Sequence, residues 1–188
     1  MIKKILDLLY NVFELSAIYF PIGAKLYLKF HKNSVKKEIE MLDISSSDKV
    51  VHIGCGSVPY TCIILTDYDL AEIVGIDKNK TAAINAKNIL EKFNLTDRVK
   101  IEQGSGIDYD VSRYDIVILS YGINETILVL KHVLSSMGKN TKILFRKPSN
   151  KTPVELRSII DEMSVRRKKL LLNQESILLM KKQYTKWF

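Results

Sequence analysis

Gly54-Cys55-Gly56, Asp77, Gly104-Ser105 and Ser120 each close a short apolar run in the middle of this 188-residue chain. Glycines at 54 and 56 let the backbone turn tightly and pass close to a ligand. The loop continues as Ser57-Val58-Pro59, so the third glycine of a G-x-G-x-x-G fingerprint is replaced by Pro59, which disfavours a pyrophosphate ligand. Asp77 lies 21 residues beyond Gly56. A carboxylate there can accept both hydroxyl protons of a ribose, or it can cap the next helix. Gly104-Ser105 allows a planar ring to approach, with the Ser105 hydroxyl or backbone free to bond its edge. Tyr60, Tyr121 and Glu125 are the candidate catalytic groups, since a phenol or carboxylate can orient or deprotonate a nucleophile; packing and helix capping are the alternatives. Cys55 is a nucleophile only if its thiolate is favoured at a helix N-terminus, and otherwise a small residue that fits. His31, His52 and His132 show no metal-ligand spacing, and no metal site is expected.

The elements that must hold these residues can be read from apolar periodicity. Residues 3–20 read as an amphipathic helix and residues 23–42 as a second, with Pro21 and Gly23 between them. The polar stretch 45–48 separates this segment from the rest of the chain. Strands are expected over 49–53, 72–76, 98–102, 114–120 and 141–145. Helices are expected over 58–68, 79–93 and 124–136, the last with Asn124 as N-cap. A helix over 153–163 with Pro153 in its first turn and β-like segments at 165–172 and 177–183 complete the chain, the last two forming an antiparallel hairpin. Strands alternating with helices imply right-handed crossovers and a parallel sheet. The expected fold is α/β: a Rossmann-like, mostly parallel sheet of seven strands with helices on both faces, preceded by two N-terminal helices. Residues 1–46 form the helical segment, a lid over the site, and residues 47–188 form the ligand-binding domain.

The three loops, in this order and at this spacing, resemble those of the class I S-adenosylmethionine-dependent methyltransferases over residues 48–147. The resemblance implies S-adenosylmethionine as cofactor. Gly54, Cys55 and Gly56 would line its methionine part, Asp77 its ribose, and Gly104 and Ser105 its adenine, with Ser57, Lys78 and Ser120 as further contacts. Ser120 and Tyr121 stand where such enzymes position the reacting group. His52 and Ser105 replace two acids of the usual pattern, which weakens cofactor contacts. Gly54-Cys55-Gly56-Ser57-Val58-Pro59-Tyr60-Thr61 is also similar to the glycine–proline–threonine loop of the nicotianamine synthases, which transfer the aminopropyl group of the same cofactor. The implied function is methyl transfer to an O, N or C atom of a small or macromolecular acceptor. Aminopropyl transfer is the alternative within enzymes, and a non-catalytic binding module the alternative outside them.

Composition narrows the setting. Two cysteines, Cys55 and Cys62, are too few for a disulfide scaffold or a structural zinc site, and a reducing, cytoplasmic location is expected. The net charge of +8 is spread along the chain without an RNA-binding signature, so a solvated basic surface is expected ahead of a nucleic-acid interface. Asp7 and Glu14 interrupt the apolar N-terminus, whose longest charge-free run, residues 15–24, is half of what a membrane-spanning helix needs.

Overall fold

The computed structural model describes residues 21–148, 154–161, 163–169 and 174–181. The helix expected over 3–20 and Pro153 lie outside the described residues. Helix α1 (Pro21–Ile39) comes first, followed by β1 (Lys49–Ile53), α2 (Tyr60–Leu65), β2 (Glu72–Asp77), α3 (Lys80–Lys92) and β3 (Lys100–Gln103). The chain continues through β4 (Ile116–Leu119), α4 (Thr126–Ser136), β5 (Lys142–Pro148), α5 (Val154–Asp161), β6 (Met163–Lys169) and β7 (Gln174–Lys181).

The strands form one sheet in the order β3-β2-β1-β4-β5-β7-β6. Strands β1 to β5 pair in parallel, and β7 runs antiparallel to both β5 and β6. The expected C-terminal hairpin is therefore present, inserted so that β7 sits against β5. From β1 the chain moves outward through β2 and β3, then returns to place β4 on the other side of β1. That reversal opens a crevice beyond the carboxyl ends of β1 and β4, the position where open α/β sheets take their ligands.

Alternation along each strand sorts the core into two layers. Val50, Ile116, Ile118 and Leu144 point to the face covered by α1, α2 and α3, where Val35, Ile39, Cys62 and Leu90 pack. Val51, Ile53, Val117, Leu119 and Phe145 point to the other face and meet Val129, Val133 and Ile160 of α4 and α5. Strand β4 is buried along its whole length, as its uninterrupted Ile-Val-Ile-Leu run requires in a sheet covered on both sides.

Several element ends differ from the periodicity, for local reasons. Helix α1 stops at Ile39, and residues 40–42 continue as a turn. Strand β3 begins at Lys100 because the amides of Arg98 and Val99 are spent on the carbonyl of Leu95. Helix α2 starts after Pro59 and is closed by Thr66, whose hydroxyl donates to the Ile63 carbonyl at 2.7 Å. Asn124 is not the cap of α4. Glu125 takes that place in a left-handed conformation (φ 40°, ψ 31°) with no side-chain cap bond.

Gly75, in the middle of β2, faces the α2 layer: a Cβ there would stand 2.8 Å from Ile101 Cδ1 and 3.1 Å from both Cys55 Cβ and Cys62 Sγ. We expect Gly75→Ala to destabilise the fold by about 1–3 kcal/mol, the usual cost of overpacking a filled core, measured as a lower urea midpoint with an unchanged slope.

Candidate functional site

The loops that succeed β1, β2, β3 and β4 converge on one cavity of about 630 Å³, walled on its far side by α1. The first loop turns on Gly54 and Gly56, both at positive φ (75° and 71°), where a Cβ is strained. The amides of Gly54 and Cys55 donate to the Ile76 carbonyl at 2.8 and 3.0 Å, tying this loop to the end of β2. Gly56 N–H donates to Asp77 Oδ2 at 2.9 Å, and Asn79 N–H donates to Asp77 Oδ1 at the same distance. Asp77 is not the cap of the next helix; Asn79 is, accepting from the amides of Thr81 and Ala82. The Asp77 carboxylate instead joins two loops and lines the cavity with a lone pair remaining on each oxygen.

Gly54, Cys55, Gly56, Asp77, Lys78, Gly104, Ser105 and Ser120 all line the cavity, as do Tyr60, Tyr121 and Glu125. Ser57 does not, although it belongs to the same loop. Burial raises the Cys55 thiol pKa far above the ordinary value, and the neighbouring Cys62 and Asp77 push it further, which disfavours the thiolate that a nucleophile needs. Glu125 pairs with Lys78 at 3.3 Å across the mouth of the first loop, both side chains being about half exposed. Tyr121 is 48% exposed, whereas Tyr60 is partly buried and stacks on His31 with ring centroids 4.3 Å apart.

The far wall holds groups that spacing alone did not single out. The guanidinium of Arg146, near the end of β5, donates from Nε and Nη2 to both carboxylate oxygens of Glu38 in α1, at 2.8–3.2 Å. Its Nη1 donates to Thr61 Oγ1 at 3.0 Å, and the Ser176 hydroxyl of β7 donates to Glu38 Oε1. All four side chains are buried, and Glu38 and Arg146 line the cavity. One signal was available: Glu38 falls in register with Val35 and Leu42, so a carboxylate occupies the apolar stripe of a helix. Arg146 shares the Leu144 face of its strand but looks in sequence like the polar end of an apolar run. His52 has its ring buried in the α2 layer, with Nε2 2.7 Å from Ser120 Oγ and Nδ1 3.6 Å from Cys62 Sγ.

Among the described residues no cluster of His, Cys, Asp or Glu is placed to hold a metal ion, and no helix is long and apolar enough to cross a membrane.

A parallel sheet in the 3-2-1-4-5 order, with a glycine turn, an acid and a small-residue loop in succession at its carboxyl edge, defines an S-adenosylmethionine-type Rossmann domain. The comparisons with known proteins agree. Residues 44–188 match the family model described as a methyltransferase domain, and the chain belongs to that family. A curated relative named "Probable cobalt-precorrin-6B C(15)-methyltransferase (decarboxylating)", from Methanobrevibacter smithii, is 28% identical over 103 residues, 54% of each chain. The chain spans a little over half the length of the curated relatives it matches. Among solved structures, a point mutant of MtNAS in complex with S-adenosylmethionine superposes with a TM-score of 0.69 at 18% identity, over 91% of this chain and 71% of that one. An RNA methyltransferase from Salinibacter ruber in complex with S-adenosyl-L-homocysteine gives 0.62 at 15% identity, over 82% and 94%. These likenesses establish the fold.

The far wall has two measurable consequences. Arg146→Met leaves the Glu38 charge buried without its partner and is expected to cost about 3–5 kcal/mol, with most of it recovered in the double variant Glu38→Leu/Arg146→Met; chemical denaturation of the three proteins checks this. Burial, and then the charge of Arg146, lower the His31 pKa from 6.5 to about 4. Between those values the unfolded chain binds a proton that the folded one does not, so stability falls as pH drops through that window. His52 shifts the same way for the same two causes. Replacing His31 by Gln should make the loss of urea midpoint between pH 7 and pH 4.5 measurably shallower than in the parent protein.

Proposed function

We propose that this protein transfers a methyl group from S-adenosylmethionine to an acceptor held between the cofactor loops and helix α1. The observation that carries the reading is the convergence of all four strand-end loops on one cavity. The cavity fits the cofactor: its volume lies in the range that encloses a molecule of this size. A Cβ added at Gly56 would meet nothing within 4 Å, so the loop leaves open space where a ligand can pass. The bound cofactor supplies a sulfonium whose methyl carbon is already electrophilic, so the protein's task is alignment and exclusion of water. Asp77 accepts from ribose hydroxyls, and Gly104 and Ser105 flank the adenine. Tyr60, Tyr121 and Glu125 are the groups placed to orient or deprotonate the acceptor. Helix α1, through His31, Val35 and Glu38, closes the acceptor side, in keeping with a covering role for the N-terminal segment. Residues 47–188 act as the cofactor domain.

A second reading, aminopropyl transfer, is supported by a specific feature. Pro59 leads directly into α2, Thr61 is held by Arg146, and the likeness to MtNAS, at a TM-score of 0.69, extends over nine-tenths of this chain. The by-product decides between them. Incubation with S-adenosylmethionine and an extract of the source cells is expected to yield S-adenosylhomocysteine that depends on the protein; methylthioadenosine as the only such product establishes the second reading, and neither product points to a non-catalytic module.

Binding tests the site itself. Asp77→Asn removes the charge that strengthens the ribose bonds and should weaken S-adenosylhomocysteine by about tenfold, a loss of about 1–2 kcal/mol. Asp69→Asn, on an exposed loop, should leave calorimetric affinity unchanged. Equal losses from both would mean that the ribose lies elsewhere.

A further inference from the structure

The buried imidazole of His52 takes no part in the proposed transfer, yet it touches a residue that lines the cofactor site. In β1 it stands opposite Ile118 of β4 and Gly75 of β2. Its two nitrogens have two partners, Ser120 Oγ at 2.7 Å from Nε2 and Cys62 Sγ at 3.6 Å from Nδ1. Burial and the charge of Arg146 keep the ring neutral, so one nitrogen carries a proton and the other accepts one.

The two distances fit one tautomer. Hydroxyl donors make the shorter bonds, about 2.7–2.8 Å to oxygen, and nitrogen donors the longer, about 2.9–3.0 Å, so the 2.7 Å contact fits Ser120 O–H donating to Nε2. In that arrangement Nδ1 carries the ring proton and donates to the Cys62 sulfur, a weak acceptor, at 3.6 Å. Burial pushes the Cys62 thiol up to about 12, so it stays neutral and makes no competing ion pair with the ring.

Ser120 sits where this matters. It comes directly after β4, its amide donates to the Ile53 carbonyl at 3.1 Å, and a Cβ on Gly54 would lie 3.2 Å from its Cβ. It lines the cavity beside the first glycine turn. We propose that His52 is a positioning residue: it draws the only proton of the Ser120 hydroxyl inward, so that Ser120 offers the cavity lone pairs alone and selects there for a hydrogen-bond donor, the ammonium group of the cofactor's methionine tail. The assignment of that donor rests on the cofactor reading; the direction of the hydrogen bond does not. A neutral relay thereby gives the cavity an acceptor without a buried charge.

Two measurements test this. In protein labelled with ¹⁵N-histidine, the His52 ring nitrogens should report a protonated Nδ1. Addition of S-adenosylhomocysteine should shift the Nε2 resonance, and Ser120→Ala should abolish that response. Calorimetry should show S-adenosylhomocysteine binding at least tenfold tighter than its desamino analogue. His52→Leu should reduce that preference below threefold, while His52→Gln, whose amide oxygen can accept the same bond, should keep it. If His52→Leu does not fold, Ser120→Ala supplies the same comparison. An Nε2-protonated ring, or a preference for the amino group that survives both Ser120→Ala and His52→Leu, overturns the proposal. Failure of the parent protein to bind S-adenosylhomocysteine at all, with Nδ1 protonated, removes the cofactor reading and the assigned donor but leaves the hydrogen-bond direction standing.

Discussion

A carboxylate and a guanidinium leave water together when Glu38 meets Arg146, and either one alone would make the closed structure unstable. The desolvation of two charges is repaid only when geometry is good and the remaining hydrogen-bonding capacity is filled. Here Arg146 spends three of its nitrogens and Glu38 accepts on both oxygens, with Thr61 and Ser176 completing the set. Four elements, α1, α2, β5 and β7, therefore meet at one point. A hydrophobic contact at that point would tolerate sliding; this arrangement permits one position for α1 across the cavity. Burial, and after it the charge of the same guanidinium, holds down the proton affinity of His31 and His52.

The end of β2 plays the corresponding part on the near wall. The Ile76 carbonyl takes two amides of the first loop, the Asp77 carboxylate takes a third, and the Asp77 carbonyl takes the amide of Gly104 in the loop after β3. Two loops are thus fastened to two consecutive residues before any ligand arrives. Loops positioned in this way have already met much of the ordering cost that binding otherwise imposes.

This near wall was legible in the sequence because its chemistry is local. Apolar runs ending in Gly54, Asp77, Gly104 and Ser120 mark strand ends, and strand ends in a parallel sheet share an edge. The far wall was less legible because its members are brought together only by the fold: Glu38 and Arg146 are 108 positions apart, and Glu38 and Ser176 are 138 apart. Nothing in the neighbourhood of Arg146 distinguishes it from a solvated strand end. A departure at a helix start has a different origin: Glu125 takes a left-handed cap that side-chain preference would have given to Asn124. Side-chain preference does not encode a backbone set by the packing of neighbouring strands.

The antiparallel hairpin gives the sheet an order that differs from the order of synthesis. Strand β7 emerges from the ribosome after β6 yet lies inside it, against β5, and it carries the serine that completes the environment of Glu38. Helix α1 is made first among the described elements, but its carboxylate has no finished seat until residue 176 has been added. The earlier strands can assemble their glycine turn and acid while the chain is still growing. Domains built around such long-range closures assemble late and slowly, because the entropy of closing the loop precedes the reward. One side of the cleft therefore rests on contacts between neighbouring strand ends, and the other on a contact that spans 138 positions of the chain.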